Sequence, residues 1–261
     1  MAEACRAGRR ILRVVTTIAD PDQRSLALDT PLPRPPEDLR PMQPRMARRL
    51  VVGESRLVDP TWGGLRVLAA VRGDEVRLLV DGLDVAARFP DIVASLAALD
   101  LPDAVLDGEL VVPGTRGRTL AAAVRRGGGH VTPATLVISD LPWYGGRALF
   151  AESLLRRRDR LAGLAIAGPS LVAVEPATGA DAVLQIVALH GLHGIVAKRA
   201  DSPYLPGVRS RLWTLVRAAD VTDREAHMPG TSDTPDDPAA RHPRIRPDIA
   251  LLRTLALGED A

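Results

Sequence analysis

The sequence predicts an α+β fold in which mainly antiparallel sheets are flanked by helices. Segments typical of strands and of helices follow one another without the regular β-α-β rhythm of a parallel sheet. Gly73 and Asp74 separate two strand-like runs and are a plausible hairpin turn, which joins antiparallel strands. An apolar content of 46% supports a real core, and 261 residues allow one large domain or two small ones.

Local patterns predict the individual elements in chain order. The runs on either side of the hairpin turn, at 65–71 and 75–80, are rich in aliphatic residues and predict strands. Apolar side chains at helical spacing predict a helix at 88–99. The remaining predicted strands are at 105–112, 135–139, 170–174, 194–198 and 211–216, and the remaining helices at 119–126, 150–164 and 180–190.

The helix predicted at 150–164 carries a cluster of arginines. We expect these arginines on a solvated face, paired with nearby acids, and only secondarily as contacts to phosphates. The arginines are Arg156, Arg157, Arg158 and Arg160, and the expected acidic partners are Glu152 and Asp159.

Composition divides the chain into three parts. Residues 1–40 are rich in Arg and Pro, with P-L-P-R-P-P at 31–36, and are interpreted as an N-terminal extension. Residues 41–217 carry the strand and helix patterns and are interpreted as the folded domain. Residues 218–261 are polar and Pro-rich over most of their length, which predicts a mostly disordered tail.

Charge and cysteine content limit the classes of function. The formal net charge of +2 gives no global attraction to nucleic acid, although a basic face could still act locally. Cys5 is the single cysteine, which excludes a disulfide framework and indicates a reducing, cytoplasmic setting. We expect neither a signal peptide nor a membrane span.

Two carboxylates stand inside the apolar run V-L-D-G-E-L-V-V at 105–112. Asp107 and Glu109 point to the same side of a strand, and Gly108 between them leaves room for a ligand to approach the backbone. Buried acids need a cation opposite them, either a metal ion or a basic side chain. The alternative interpretation is a strand end that runs into a polar turn.

Six motifs, in order, resemble the adenylation domain of ATP-dependent DNA ligases, in particular the short bacterial repair type. The first, D-P-T-W-G-G-L-R at 59–66, is similar to the family's E-x-K-x-D-G-x-R. The others are G-L-D-V-A-A-R-F-P at 82–90, D-G-E at 107–109, S-D-L with Trp143 and Gly146-Arg147, H-G-I-V-A-K-R at 193–199, and the stretch from Asp201 to Trp213.

This resemblance implies a nucleotidyltransferase fold that uses ATP and Mg²⁺ and acts on nicked or broken DNA, in contact with other DNA-repair proteins. It implies an adenine-side contact for Asp59, a ribose-side contact for Arg66, and nucleotide contacts for Lys198 and Arg217. Glu109 is the chief candidate for both a nucleotide contact and a Mg²⁺ ligand.

The chain departs from the family at the residues that carry the chemistry. Thr61 occupies the position of the lysine nucleophile, and Lys198, the only lysine, belongs to a different predicted strand. A threonine hydroxyl is a poor nucleophile without a positioned base. Further departures are Gly63 for an aspartate, Val80 for an arginine, His193 for a metal-binding glutamate, and Leu215 and Arg217 for two lysines.

We therefore expect a catalytically silent protein of this family with weak or absent binding of ATP and residual nucleotide or DNA-end binding. One alternative is an active DNA ligase or adenylyltransferase with an unconventional nucleophile or a partner domain. The other is a structural or interaction relic without a ligand, in which Arg66 and Lys198 pair with Asp107 and Glu109.

Overall fold

Two β-sheets and the helices packed on them form the folded part of the chain. A computed structural model describes residues 34–49, 55–175 and 180–220. Residues 1–33 of the predicted extension at 1–40 and residues 221–261 of the predicted tail at 218–261 lie outside the described residues, so both interpretations stay predictions. Within the described part, Leu39 is already buried against Leu68 and Leu79.

The strands are β1 (Gln43–Met46), β2 (Arg56–Thr61), β3 (Leu65–Arg72), β4 (Glu75–Val80), β5 (Leu83–Asp84), β6 (Ala104–Val111), β7 (Thr135–Tyr144), β8 (Arg147–Ala148), β9 (Ala167–Gly168), β10 (Leu171–Ala173), β11 (Gly194–Arg199) and β12 (Arg209–Arg217). The helices are α1 (Pro90–Ala97), α2 (Gly117–Arg126), α3 (Leu154–Gly163) and α4 (Ala180–Leu189), with a 3-10 turn at Ala86–Arg88.

The strand pairing confirms the predicted fold class. The larger sheet has eight strands in the order β5-β4-β3-β6-β7-β10-β9, with β8 attached to β7. The smaller sheet has the order β1-β12-β11-β2. Two pairs, β7 with β10 and β1 with β12, are parallel, and the other described pairs are antiparallel. The predicted hairpin is also confirmed, because Arg72 pairs with Glu75 across Gly73 and Asp74.

The strands β1 and β2 were not predicted, although the other long elements fall close to their expected positions. The dipeptide Asp59-Pro60 inside β2 favours a turn on sequence grounds, because proline cannot donate a hydrogen bond to a sheet. The structure tolerates Pro60 because β2 is an edge strand of the smaller sheet.

Apolar side chains pack on both faces of the larger sheet. One face forms the main core with α1 and α2, through residues such as Ile92, Leu106 and Leu120. The other face carries Leu68 and Val105 and turns toward the smaller sheet. On the far side of the smaller sheet, Val183 and Val187 of α4 pack against Val58, Ile195 and Val216. No helix in the described ranges is long and apolar enough to cross a bilayer.

The prediction that Gly108 leaves room for a ligand is wrong. A Cβ atom added at Gly108 would lie 2.2 Å from the carbonyl oxygen of Val137. Gly108 therefore allows β6 and β7 to approach closely, and the neighbouring backbone occupies the space that the sequence suggested for a ligand.

Gly108→Ala is expected to lower the free energy of unfolding by about 1–3 kcal/mol, because a backbone carbonyl cannot rotate away as a flexible side chain can. Urea denaturation followed by circular dichroism measures this change. Gly163→Ala on α3 is the matched control, since no atom lies within 4 Å of its added Cβ. We expect it to be neutral or to stabilise by up to about 1 kcal/mol. Equal stability of the two variants would contradict the close-approach argument.

Candidate functional site

A narrow cleft lies between the two sheets and brings together four of the predicted site residues. Its polar lining consists of Asp59, Arg66, Glu109, Ser139 and Lys198. Its apolar lining consists of Pro60, Trp62, Val137, Val174 and Val196. The cleft volume is about 20 Å³, which holds roughly one water molecule. A larger ligand must therefore push the walls apart.

Asp59 lies at the floor of the cleft and is paired with two cations. Its side chain points to the same face of β2 as Thr61, and Lys198 reaches it diagonally from β11, with Nζ 2.8 Å from Oδ2. The guanidinium of Arg158, from α3, donates to the other carboxylate oxygen and also donates to the carbonyl oxygen of Val174 at 2.7 Å. Lys198 therefore pairs with Asp59, and the pairing with Glu109 that the relic alternative suggested is wrong.

Burial and charge act in opposite directions on this cluster. Burial alone would raise the pKa of Asp59, but Arg158 and Lys198 outweigh it and hold this pKa below its usual value. Burial lowers the pKa of Lys198, and Asp59 opposes this shift only in part. Nζ of Lys198 also lies 4.5 Å from the ring centre of Trp213 and 3.3 Å from the hydroxyl of Ser139.

The prediction of a cation opposite the two acids is confirmed for Asp107. Arg66 on β3 donates to its carboxylate at 2.6 Å, and the hydroxyl of Tyr204 donates to the same oxygen at 2.8 Å. Burial nevertheless raises the pKa of Asp107 above its ordinary value despite the attraction of Arg66. Burial and the nearby Asp107 also raise the pKa of Tyr204.

The prediction that the arginines of α3 lie on a solvated face is wrong for two of them. Arg157 and Arg158 are only 0% and 2% exposed, because each reaches a buried carboxylate on another element. Arg157 forms two hydrogen bonds with Asp140, at 2.8 and 3.0 Å. The expected pairing is present for Arg160, which reaches Glu152 at 3.1 Å.

Thr61 and Glu109 contact each other directly. The hydroxyl of Thr61 donates to Oε1 of Glu109 at 2.8 Å, and the backbone N–H of Gly64 donates to Oε2 at 2.9 Å. Both carboxylate oxygens therefore already accept a hydrogen bond. The first motif supplied no base for Thr61 in the sequence, and the structure brings this carboxylate from β6.

Gly63 and His193 are packed against each other. A Cβ atom added at Gly63 would lie 3.0 Å from Cβ and 3.1 Å from Cγ of His193. The backbone φ angle of Gly63 is +68°, which favours glycine. The imidazole thus stands where a longer side chain at position 63 would begin, so substitutions at these two positions are coupled.

The structure gives less support to Arg217 as a nucleotide contact and to Glu109 as a Mg²⁺ ligand. Arg217 is exposed at the end of β12, opposite Gly194, and does not line the cleft. In the three described ranges, no cluster of three or more His, Cys, Asp or Glu side chains could hold a metal ion. Glu109 alone is a poor match for Mg²⁺, which prefers several oxygen ligands in octahedral geometry.

The chain resembles known proteins over most of its described part. The family model described as "ATP dependent DNA ligase domain" matches residues 50–216. The chain is 30% identical over 195 residues to DNA ligase C1 of Mycolicibacterium smegmatis, covering 65% of this chain and 56% of that protein. It is 38% identical over 157 residues to the multifunctional non-homologous end joining protein LigD of Mycobacterium bovis, covering 58% of this chain and 20% of that protein.

A solved structure shows the same fold. The mycobacterial DNA ligase D complexed with ATP and MES matches with a TM-score of 0.57 and 31% identity, over 69% of this chain and 60% of that chain. The chain thus spans only part of the length of each of these relatives, 56% of DNA ligase C1 and 20% of LigD.

Asp59→Asn is expected to destabilise the protein at neutral pH, by about 3–5 kcal/mol, because it leaves two buried cations without a counter-charge. Arg158 and Lys198 hold the pKa of Asp59 below its ordinary value in the folded state. Its contribution to stability is therefore present above the unfolded pKa and is lost as the pH falls through the folded pKa. Urea unfolding of wild type and variant at about pH 7 and about pH 3 measures the difference, which should shrink at the lower pH.

Asp201→Asn is the control for that comparison. Asp201 forms an ion pair with Arg199 at the surface, where solvent screens the interaction, so its removal should have little effect at either pH. A loss of stability for Asp59→Asn that is equal at both pH values would contradict the ionic explanation.

Proposed function

Because the chain belongs to the ATP-dependent DNA ligase family, through its adenylation domain, we propose that it is a catalytically silent member with weak residual binding of nucleotides or DNA ends. The activity, substrates and partners of the full-length relatives enter here only as proposals. They suggest nicked or broken DNA as the target and other repair proteins as partners.

The observation that carries this proposal is the environment of the nucleophile position. Thr61 is 6% exposed, and its hydroxyl donates to Glu109. Lys198, the only lysine in the chain, is held at 2.8 Å from Asp59. An amine must be neutral to attack a phosphorus atom, and burial lowers the pKa of Lys198. Its ion pair with Asp59, however, favours the charged form and fixes the amine at the floor of the cleft.

The phosphate contacts of the family are also reduced in number. A charge-assisted hydrogen bond contributes roughly 1.5–3 kcal/mol, and micromolar affinity corresponds to about 8 kcal/mol. The loss of charged groups at positions 63, 193 and 215 is therefore large enough to remove most of the affinity for a nucleoside triphosphate with Mg²⁺. This comparison supports weak binding.

One contact favours a second candidate function. A hydroxyl that donates to a carboxylate at 2.8 Å is the arrangement in which a base activates a nucleophile. Thr61 and Glu109 thus support the alternative of an adenylyltransferase with an unconventional nucleophile. This alternative requires a covalent AMP group on Thr61, whereas the first proposal requires none.

Incubation of the purified protein with α-labelled ATP and Mg²⁺ is expected to give no covalent adenylate. Thr61→Lys alone should also give little or none, because misplacement of the reacting groups by about 1 Å can lower a rate around a hundredfold. Adding Gly63→Asp, His193→Glu and Leu215→Lys should raise labelling well above the single variant, because groups that act as a unit are strongly non-additive. Gel electrophoresis after denaturation measures the label.

The chemistry of any label separates the candidates. An adduct on Thr61 is a phosphodiester and survives acid, whereas an adduct on a lysine is a phosphoramidate and does not. Wild-type labelling on Thr61 or Lys198 would refute catalytic silence. Strong labelling of Thr61→Lys alone would show that the phosphate-binding groups are still adequate. Gly63→Asp without His193→Glu serves as the control for the packing of these two side chains.

DNA binding is expected to be weak, sensitive to salt and indifferent to sequence, because it would depend on exposed arginines that contact phosphates. Fluorescence anisotropy with a labelled nicked duplex at two salt concentrations measures it. An intact duplex of unrelated sequence is the control. Sub-micromolar binding to the nicked duplex that persists at moderate salt would be inconsistent with this expectation.

A further inference from the structure

The side of α4 that points away from the smaller sheet is apolar and partly exposed. Residues 182–189 read A-V-L-Q-I-V-A-L, so Gln185 is their only polar side chain and none of them is charged. Leu184 and Ile186 are partly buried at the two flanks of the helix. A helix that is apolar all round is normally buried. The exposed residues, which we call the outer face of α4, are Ala182, Gln185, Ala188 and Leu189, of which Leu189 is 68% exposed.

The chain leaves the smaller sheet beside this outer face. Arg217 at the end of β12 pairs with Gly194 at the start of β11. The next residue, Ala218, donates its backbone N–H to the carbonyl oxygen of His193 at 3.0 Å and packs against the cluster that α4 forms with the sheet. Because Gly194 follows Leu189 by only five residues, their Cα atoms are at most about 18 Å apart. The chain after residue 220 therefore begins close to Leu189.

One apolar segment follows later in the chain. Residues 248–258 read D-I-A-L-L-R-T-L-A-L-G and come directly after Pro247. Proline and aspartate at the start and glycine at the end are typical signals of a helix. Helical spacing predicts one apolar side and one polar side. The apolar side consists of Ile249, Leu251, Leu252, Leu255 and Ala256, and the polar side of Arg253 and Thr254.

This segment needs an apolar surface in order to form a helix. A helix of about ten residues is marginal in water on its own, and most of its stability comes from packing of its apolar side. The segment carries five apolar side chains on that side, and the outer face of α4 carries no charge that would have to be desolvated. The two surfaces are therefore chemically complementary.

The residues between the two surfaces form a tether of sufficient length. Residues 221–247 are mostly polar and rich in proline. A flexible chain of this length has an r.m.s. end-to-end distance of about 30 Å, which exceeds the distance to Leu189. Such a tether gives the segment an effective concentration in roughly the millimolar range. Docking within one molecule is therefore favoured over docking of a second copy at micromolar protein concentrations.

We propose that residues 249–257 fold back as an amphipathic helix and dock on the outer face of α4. Leu252 and Leu255 point toward α4 and cover Leu189, and Arg253 stays in solvent. The occupant is this segment of the same chain, because it is apolar, depends on packing to become helical, and is tethered beside the face. The contact goes beyond the proposed function and does not depend on binding of nucleotides or DNA.

Thiol cross-linking of the full chain tests which side of the segment meets α4. In a Cys5→Ser background, Leu189→Cys is combined in turn with Leu252→Cys, Leu255→Cys and Thr254→Cys, and each protein is oxidised with diamide. At least one of the two leucine positions should form an intramolecular disulfide about tenfold faster than Thr254→Cys, because Thr254 lies on the polar side. Non-reducing gels and peptide mass spectrometry measure the rates.

The matched thiol at position 254 makes this test decisive. A tethered segment that does not dock brings all three thiols to Leu189→Cys equally well, so equal rates overturn the proposal. Disulfide-linked dimers as the main product would assign the outer face of α4 to a second copy and would also overturn it.

Limited digestion with trypsin gives an independent readout that needs no cysteine. Cleavage after Arg253 should be at least about tenfold slower than after Arg244 in the tether, because cleavage follows the fraction of undocked segment. Each rate is normalised to that in a free peptide of residues 241–258. Leu189→Asp should abolish the protection, whereas Leu155→Asp, at another exposed leucine on α3, is the control and should preserve it.

Each outcome of the digestion supports or overturns the proposal. Equal normalised cleavage after Arg253 and Arg244 in the unchanged protein shows that the segment is undocked and overturns it. Protection that survives Leu189→Asp shows that the segment packs elsewhere and overturns it as well. If Leu189→Asp fails to fold, the cysteine pairs still decide, because cysteine is small and uncharged at this exposed position.

Discussion

The rest of the structure depends on the neutralisation of three buried carboxylates where the two sheets and α3 meet. The pairs are Asp59 with Arg158 and Lys198, Asp107 with Arg66, and Asp140 with Arg157. A buried charge without a partner is far more costly than a completed pair. The pairs of Asp59 and Asp140 tie β2 and β7 to α3, and the pair of Asp107 ties β6 to β3. The pair of Asp59 and Lys198 also lines the cleft between the two sheets.

The features that sequence reasoning found are those that local patterns encode. Alternation and the Gly73-Asp74 turn identified the antiparallel hairpin, which the pairing of Arg72 with Glu75 confirms. The two carboxylates inside an apolar run indicated that a cation must face them, and Arg66 faces Asp107. The six motifs placed Asp59, Glu109 and Lys198 in one family pattern, and all three line one cleft.

The missed features depend on contacts between distant parts of the chain. Arg157 pairs with a residue 17 positions away and Arg158 with one 99 positions away, which no local window can identify. A local signal did exist, because Leu154, Arg157, Arg158 and Leu161 share the spacing of one helix face and are all buried. The assumption that arginine is solvated concealed this buried face. The close approach of β7 to Gly108 was missed for a similar reason, because it depends on a strand distant in sequence.

The ion pairs also explain why the chain can keep the family fold while several of its motif residues differ from those of the family. Three of the motif residues that remain, Asp59, Asp107 and Lys198, are buried and paired, so replacing any one of them leaves an uncompensated charge. The positions that differ from the family carry no buried charge that needs a partner. His193 is exposed, Gly63 lies in a loop, and the hydroxyl of Thr61 donates to Glu109. Substitution there leaves the buried network complete. The residues that form the buried ion pairs and the residues that differ from the family are therefore different members of the same motifs, so the motifs can change at these positions without loss of the fold.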